Sequence, residues 1–252
     1  MLVTCATYNY CDMLLLLLAS HQHSNPDIPI AVHAVGWPDD RLQAARIRFP
    51  RAQFHAHPAL AADSPSELKG PVPRSAEILK LKVKLLHEAF QASDEPVIWV
   101  DADTLLLTSL KPLLQRLSQS VDFAVTYRPR KRPHAKFAVA VLCFCKTVAA
   151  EQLLDCYVQK SEHSTGLVKR RDNSGVAWFH DQLALWDAYY HLRGGFFRLP
   201  RRYKPQLMPL SQSEHSIDGS ADATFISRRD GVMDVSHMQQ LLLDRQIDVS
   251  PL

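Results

Sequence analysis

Two aspartates one residue apart, Asp101 and Asp103, are the residues of this chain whose types and spacing most clearly indicate chemistry. They interrupt the run Val97–Leu107, which is otherwise apolar. Such a run predicts a parallel strand buried on both faces, where ionised carboxylates are tolerated only if a cation meets them. We therefore expect both carboxylates at the carboxyl end of the strand, where open α/β sheets bind ligands.

The spacing of the two aspartates favours a metal ion. Residues two apart in an extended chain point to the same side, so Asp101 and Asp103 would form one oxygen-rich site. Hard oxygen ligands of this kind are preferred by Mg²⁺ and Mn²⁺, which usually share the site with phosphate oxygens. The sequence therefore predicts Mn²⁺ or Mg²⁺ as the cofactor.

Phosphorus chemistry is an alternative use of the same two carboxylates. Haloacid-dehalogenase-type phosphatases also place two aspartates after an apolar strand, with Thr or Val four positions after the first. Here that position is Leu105, with Thr104 one place early. Sugar nucleotidyltransferases usually carry a Gly-rich N-terminal loop with a basic residue, and Thr4–Tyr8 has neither. These departures disfavour both a phosphatase and a nucleotidyltransferase, but they exclude neither.

The composition is typical of a globular enzyme. The 252 residues are 46% hydrophobic and 22% charged, and a net charge of +3 does not indicate a nucleic-acid partner. Five cysteines without a Cys-x-x-Cys pair favour reduced thiols in a cytoplasmic protein. The apolar run Met13–Ala19 is too short to span a bilayer, and the first basic residue is Arg41, so we expect no transmembrane segment and no signal peptide.

Strand and helix patterns alternate along the chain, which predicts an α/β fold with a mostly parallel sheet flanked by helices. There is no internal repeat and no linker, so we expect a single domain over residues 1–252. The predicted strands are Leu2–Thr7, Ile30–Val35, Ala52–His57, the aspartate strand, Asp122–Tyr127, Phe137–Phe144, Phe196–Leu199, Thr224–Ser227 and Val232–Ser236. The predicted helices are Asp12–Ser20, Arg41–Phe49, Ser75–Ala92, Leu110–Ser118, Ala149–Gln159 and Asp181–Leu192.

With these elements in order, the chain resembles the GT-A fold (Rossmann-like) nucleotide-sugar glycosyltransferases, particularly the glycogenin and galactosyltransferase-like, family 8-type branch. The matching features run through most of the chain. They are a helix carrying Lys80 and Lys84, the strand ending in Asp101-Ala102-Asp103, the apolar strand Phe137–Leu142, the pair Asp181-Gln182, and Val235-Ser236-His237.

The resemblance implies a metal-dependent transfer of sugar from a nucleotide diphosphate, UDP rather than GDP, with retention of anomeric configuration. Asp101, Asp103 and His237 would bind the metal. Asp181 would hold the donor sugar or the acceptor hydroxyl, and Gln182 would stabilise positive charge on the sugar ring. The nucleotide would contact Thr4, Ala6, Tyr8, Lys84, Asp101 and Ala102.

The chain also departs from the family. The family's C-terminal His-x-x-Gly-x-x-Lys element is missing after His237, so the lysine that grips the diphosphate has no counterpart at the expected spacing. The arginines that could bind the diphosphate in place of this lysine are Arg201, Arg202, Arg228 and Arg229. This departure keeps open a third alternative, a non-catalytic GT-A-like binding protein. The acceptor is not identified, although basic residues over Arg128–Lys136 make an anionic one worth considering.

Overall fold

The computed structural model describes residues 1–59, 73–117, 121–131, 136–163, 168–169, 175–176, 180–194, 204–216, 223–227 and 235–249. The helices are α1 (Cys11–Ser24), α2 (Asp39–Arg48), α3 (Pro73–Ala92), α4 (Lys111–Leu117), α5 (Val148–His163), α6 (His180–Leu192) and α7 (Val235–Leu243), with a 3₁₀ turn η1 (Tyr8–Tyr10). The strands are β1 (Leu2–Thr7), β2 (Ile30–Val35), β3 (Ala52–His57), β4 (Val97–Val100), β5 (Leu105–Leu106), β6 (Phe123–Tyr127), β7 (Phe137–Phe144), β8 (Val168–Lys169), β9 (Gly175–Val176), β10 (Leu207–Pro209), β11 (His215–Ser216) and β12 (Phe225–Ile226). None of the described helices combines the length and apolar character needed to cross a bilayer.

The backbone groups into two compact units made of interleaved segments. The first unit contains Met1–Ala59, Ile98–Arg116 and Leu210–Leu252, and the second contains Leu60–Val97 and Leu117–Pro209. Because each unit draws on separate parts of the chain, this grouping is not a division into consecutive halves. The expectation of a single domain over residues 1–252 stays a prediction.

Four parallel strands organise the first unit. They pair in the order β4–β1–β2–β3, and each of the three pairings is parallel. β1 and β2 are buried at most positions, as expected for apolar parallel strands covered on both faces. β3 instead mixes half-buried and exposed side chains, so one of its faces meets solvent.

The predicted strand Val97–Leu107 is divided by a turn. β4 ends at Val100, and the backbone N–H of Thr104 donates to the carbonyl of Asp101 at 3.0 Å. Beyond the turn, β5 pairs antiparallel with β12, which in turn pairs with β11 in a small second sheet. The expectation of one continuous strand is therefore wrong: aspartates favour turns, and the apolar residues after them serve a different sheet.

The predicted strand Val232–Ser236 is also wrong where the structure describes it. Val235 and Ser236 begin helix α7, whose Met238 and Leu242 are buried and lie one helical turn apart. This spacing gives an amphipathic helix, which packs against α1. Residues 232–234 and the predicted strand Phe196–Leu199 lie outside the described residues.

The second unit has a three-stranded arrangement with its own aromatic core. β6 pairs parallel with β10 and antiparallel with β7, with a register shift between Val125 and Thr126. The rings of Phe123, Phe137 and Tyr189 meet edge to face at 5.3–6.1 Å between centroids. Helix α5 packs against α3 and α6, and α6 packs against β7. These helices place both catalytic candidates, Asp181 and Gln182, at the start of α6.

Both units contain helices. The seven strands of the main sheet are β1–β4, β6, β7 and β10. Among their described pairings, only β6 with β7 is antiparallel. The predicted α/β class with mostly parallel strands is therefore confirmed.

Two histidines of the first unit make its stability depend on pH. Burial lowers the pKa of His21 to about 4, and burial with the neighbouring His55 and His57 lowers that of His33 to about 4. Between pH 6.5 and 4 these histidines are protonated in the unfolded chain but not in the folded chain. The free energy of unfolding therefore falls as the pH falls. For His21, which is 5% exposed, the loss is on the order of 3 kcal/mol.

Urea unfolding at pH 7 and pH 4.5 measures this effect. We expect His21→Gln to lose less stability between the two pH values than the wild-type chain. The exposed His23, on the same helix, supplies the control His23→Gln, which should follow the wild type. An equal acid loss in His21→Gln and His23→Gln would contradict the assignment.

Candidate functional site

The turn that follows β4 places Asp101 and Asp103 together, both half-buried, with the buried Ala102 between them. The indole Nε1 of Trp99, a buried side chain on β4, donates to Asp101 Oδ1 at 2.7 Å. This bond fixes the orientation of the Asp101 carboxylate and occupies one of its oxygens, while the backbone of the same residue closes the turn. The two aspartates therefore lie at the carboxyl end of a buried parallel strand, as predicted. They lie in a turn, however, and not in an extended chain.

Both carboxylates affect the pKa of one neighbouring group, the hydroxyl of Tyr10. Burial raises the pKa of its hydroxyl, and the charges of Asp103 and Asp101 raise it further. Both anions therefore act on the hydroxyl of Tyr10, which lies on η1. The sequence reasoning missed Tyr10. The signal available was its position three residues after the end of β1, in the same short turn as Tyr8.

The donor set fits a hard cation in part. Two half-buried carboxylates in one turn suit an ion that takes its remaining ligands from water and phosphate oxygens, as Mg²⁺ commonly does. Within the described ranges, which include Asp101, Asp103 and His237, no three His, Cys, Asp or Glu side chains are arranged to hold a metal. His237 is exposed on the first turn of α7. Its role as a third ligand stays a prediction.

The predicted nucleotide contacts on β1 differ in accessibility. Thr4 and Ala6 are buried inside the strand, and the Ala6 carbonyl accepts from Trp37 Nε1 at 3.1 Å. Tyr8, just after the strand, is 44% exposed and Tyr10 is 38% exposed. The two tyrosines are therefore the surfaces that this end of β1 offers to a flat ligand.

Asp181 forms a buried ion pair in the second unit. Its Oδ2 lies 3.0 Å from Nζ of Lys82, and both side chains are at most 5% exposed. Lys82 Nζ also donates to the carbonyl of Val139 on β7 at 2.9 Å, and Asp181 Oδ1 accepts from the backbone N–H of Gln182 at 2.8 Å. An acidic residue in the first turn of α6 also suits the helix dipole. The carboxylate is therefore paired with a cation and fixed from two sides.

Lys82 is a functional candidate that sequence reasoning missed. The prediction singled out Lys84, whose side chain is 70% exposed and lies 3.8 Å from Glu88 one turn along α3. Lys82 is on the buried side of the same helix. Because a buried lysine is rare without a partner, its burial in an apolar helix face was the available signal, but its partner is distant in sequence.

Gln182 contacts the loop that follows β6. Its side-chain Oε1 accepts from Nη2 of Arg128 at 3.5 Å, and the same Nη2 approaches the carbonyl of Phe137 at 3.4 Å. The rest of the basic segment is less engaged with the core: Arg130 and Lys131 are exposed. Arg132 lies outside the described residues, as do the four arginines considered for the diphosphate, Arg201, Arg202, Arg228 and Arg229.

Comparisons with known proteins give matches at the level of structure. No family model matches the sequence, and no curated protein sequence matches it. The galactosyltransferase LgtC, solved with donor and acceptor sugar analogues, matches with a TM-score of 0.58 and 14% identity over 99% of this chain and 97% of its own. The glycosyltransferase GlyE of Streptococcus pneumoniae TIGR4 matches with a TM-score of 0.54 and 13% identity, over 98% of this chain and 63% of its own.

The bifunctional glycosyltransferase WbbM matches with a TM-score of 0.53 and 12% identity, over 98% of this chain and 44% of its own. At these identities the likeness concerns the fold, and it extends over almost all of this chain. The chain therefore has the fold of these glycosyltransferases, which confirms the GT-A fold that the resemblance predicts.

Proposed function

We propose that this chain is a metal-dependent glycosyltransferase that takes its sugar from a nucleotide diphosphate, with UDP as the nucleotide. The observation that carries the proposal is the pair Asp101 and Asp103, which lie in one turn at the carboxyl end of the parallel strand β4. This is the edge at which open α/β sheets bind ligands. The fold, shared with LgtC and GlyE over nearly the whole chain, supports the same conclusion.

The first unit would bind the nucleotide diphosphate. Asp101 and Asp103 would hold Mn²⁺ or Mg²⁺, with His237 as a further candidate ligand. When bound, the ion supplies positive charge that stabilises the departing diphosphate. Trp99 keeps the Asp101 carboxylate oriented through its 2.7 Å hydrogen bond, so the site is organised before the ligand arrives. Tyr8 and Tyr10 would flank the base.

Asp181 and Gln182 would contact the sugar. Asp181 is fixed by its ion pair with Lys82, and a carboxylate in that position can accept hydrogen bonds from sugar hydroxyls. The Gln182 side chain carries a carbonyl oxygen, a neutral group that can stabilise partial positive charge on the sugar ring. We propose that these two residues act in transfer with retention. They need not include a strong base if the leaving phosphate receives the acceptor proton.

Two other proposals use the same residues. A phosphatase or nucleotidyltransferase would use the Asp101 and Asp103 pair for phosphorus chemistry. A non-catalytic binding protein is favoured by one observation: the His-x-x-Gly-x-x-Lys element is missing after His237. None of the five cysteines, all of them described, forms a disulfide, and this supports the cytoplasmic location that is part of the proposal.

A panel of nucleotide sugars separates these proposals. The chain is incubated with each sugar nucleotide and Mn²⁺, and free nucleoside diphosphate is measured without any acceptor. We expect slow, EDTA-sensitive release of UDP from one UDP-sugar. Release of inorganic phosphate from simple phosphoesters would favour the phosphatase, and binding without release, even with candidate acceptors present, would favour the binding protein.

A further inference from the structure

Three histidines lie together on β2 and β3, the two strands beyond β1 in the order β4–β1–β2–β3. His33 is on β2, and His55 and His57 are on β3. The parallel register pairs His33 directly with His55. His55 and His57 are two residues apart on one strand, so their side chains point to the same side, and the register brings His33 to that side as well.

The three imidazole rings contact one another. His33 Nδ1 and His57 Nε2 are 2.8 Å apart and share a hydrogen bond. The ring of His33 stacks on that of His55 at 4.9 Å between centroids, and lies 5.1 Å from that of His57. His55 is exposed, while His33 and His57 are half-buried. Ions can therefore reach the cluster from solvent.

We propose that His33, His55 and His57 form a binding site for a divalent transition metal such as Zn²⁺, Cu²⁺ or Ni²⁺. Neutral imidazole nitrogens suit these ions, whereas Mg²⁺ and Mn²⁺ prefer oxygen. A His-x-His pair on an extended strand presents two nitrogens on one face, and His33 adds a third from the neighbouring strand. The site is separate in residues and in ligand chemistry from Asp101 and Asp103.

Metal binding requires the rings to rearrange, because no three metal-ligating side chains of the described residues, these histidines included, are arranged to hold a metal in this structure. Two nitrogens bound to one Zn²⁺, each at about 2.0–2.1 Å, stand roughly 3.3 Å apart, so the 2.8 Å contact between His33 and His57 must open by about 0.5 Å. The proton now shared between the rings moves to the other nitrogen of the donating imidazole. Both rings stay neutral, and each gains a free lone pair for the metal. Rotation of the exposed His55 ring out of its stack supplies the third nitrogen.

The test uses the full chain, freed of metal with EDTA and titrated calorimetrically with Zn²⁺ at pH 7.5. We expect Zn²⁺ to bind at a site whose affinity is at least tenfold weaker in His55→Gln and in His57→Gln. The control His23→Gln, an exposed histidine on α1, should bind as the wild type does, and Asp103→Ala should retain the site. Circular dichroism checks that each variant is folded.

Cu²⁺ provides a second, spectroscopic readout. We expect the electron paramagnetic resonance spectrum of the Cu²⁺-loaded chain to show nitrogen hyperfine structure that changes in His55→Gln, the variant at the exposed position. Excess Mg²⁺ should not displace the metal. Zn²⁺ affinity unchanged in both histidine variants, or the absence of any uptake at micromolar Zn²⁺, would overturn the proposal.

Discussion

Replacing Asp103 by asparagine is expected to lower the Mn²⁺-dependent release of UDP by at least about 100-fold, the scale of losing one electrostatic contact to a developing negative charge. The substitution keeps the shape of the side chain and removes its charge. Asp103 lies in the turn after β4, where its charge and that of Asp101 both act on Tyr10. Initial rates over a range of Mn²⁺ concentrations measure the effect.

Asp94, which precedes β4, provides a matched control for Asp103→Asn. Asp94 is exposed in the segment before β4, so Asp94→Asn removes the same charge without touching the turn. Its rate should equal that of the wild type. If Asp103→Asn retained wild-type turnover at every Mn²⁺ concentration, the two carboxylates would have no part in holding the diphosphate.

Replacing Lys82 by methionine is expected to lower the free energy of unfolding by about 3–5 kcal/mol, because the substitution leaves the Asp181 carboxylate buried without its cation. Lys82 and Asp181 are 5% and 4% exposed at their side chains and lie 3.0 Å apart. The loss also frees the Val139 carbonyl, which accepts from Lys82 at 2.9 Å. Urea unfolding gives the difference.

The double variant Lys82→Met/Asp181→Leu distinguishes an ion pair from simple packing. Removing both charges should recover most of the stability, since no buried charge remains unpaired. Lys84→Met, on the exposed side of the same helix, should change stability by no more than about 0.5 kcal/mol. A double variant as unstable as the sum of the two single variants would show that Lys82 and Asp181 do not act as a pair.

The local patterns of the sequence predict much of the first unit. The bounds of β1, β2 and β3 agree with their apolar or alternating runs, because these signals depend on neighbouring residues alone. The run through Asp101 and Asp103 misled in one respect, since a four-residue turn separates two short strands that read as one. The valines at the start of α7 favour a strand in the sequence. The structure instead forms a helix there, and this helix buries Met238 and Leu242 on one face.

The candidate site was less accessible to sequence reasoning because its support comes from distant parts of the chain. Asp181 was recognised from its position at a helix start, but its partner Lys82 lies on another helix, and burial distinguishes it from Lys84. Tyr10 could be connected to the aspartates only once β1 and β4 were paired. The three histidines follow the same logic, since register across two strands brings them together.

The most direct test of the proposed function is the fate of the oxygen when a UDP-sugar is hydrolysed by this chain and Mn²⁺ in ¹⁸O-labelled water. A glycosyltransferase breaks the bond between the sugar's anomeric carbon and the diphosphate oxygen. Water then supplies the new hydroxyl, and UDP leaves with its own oxygens. The account predicts that mass spectrometry finds the label in the free sugar and none in UDP. Label in a phosphate product would contradict it, because the bond broken would then be one to phosphorus.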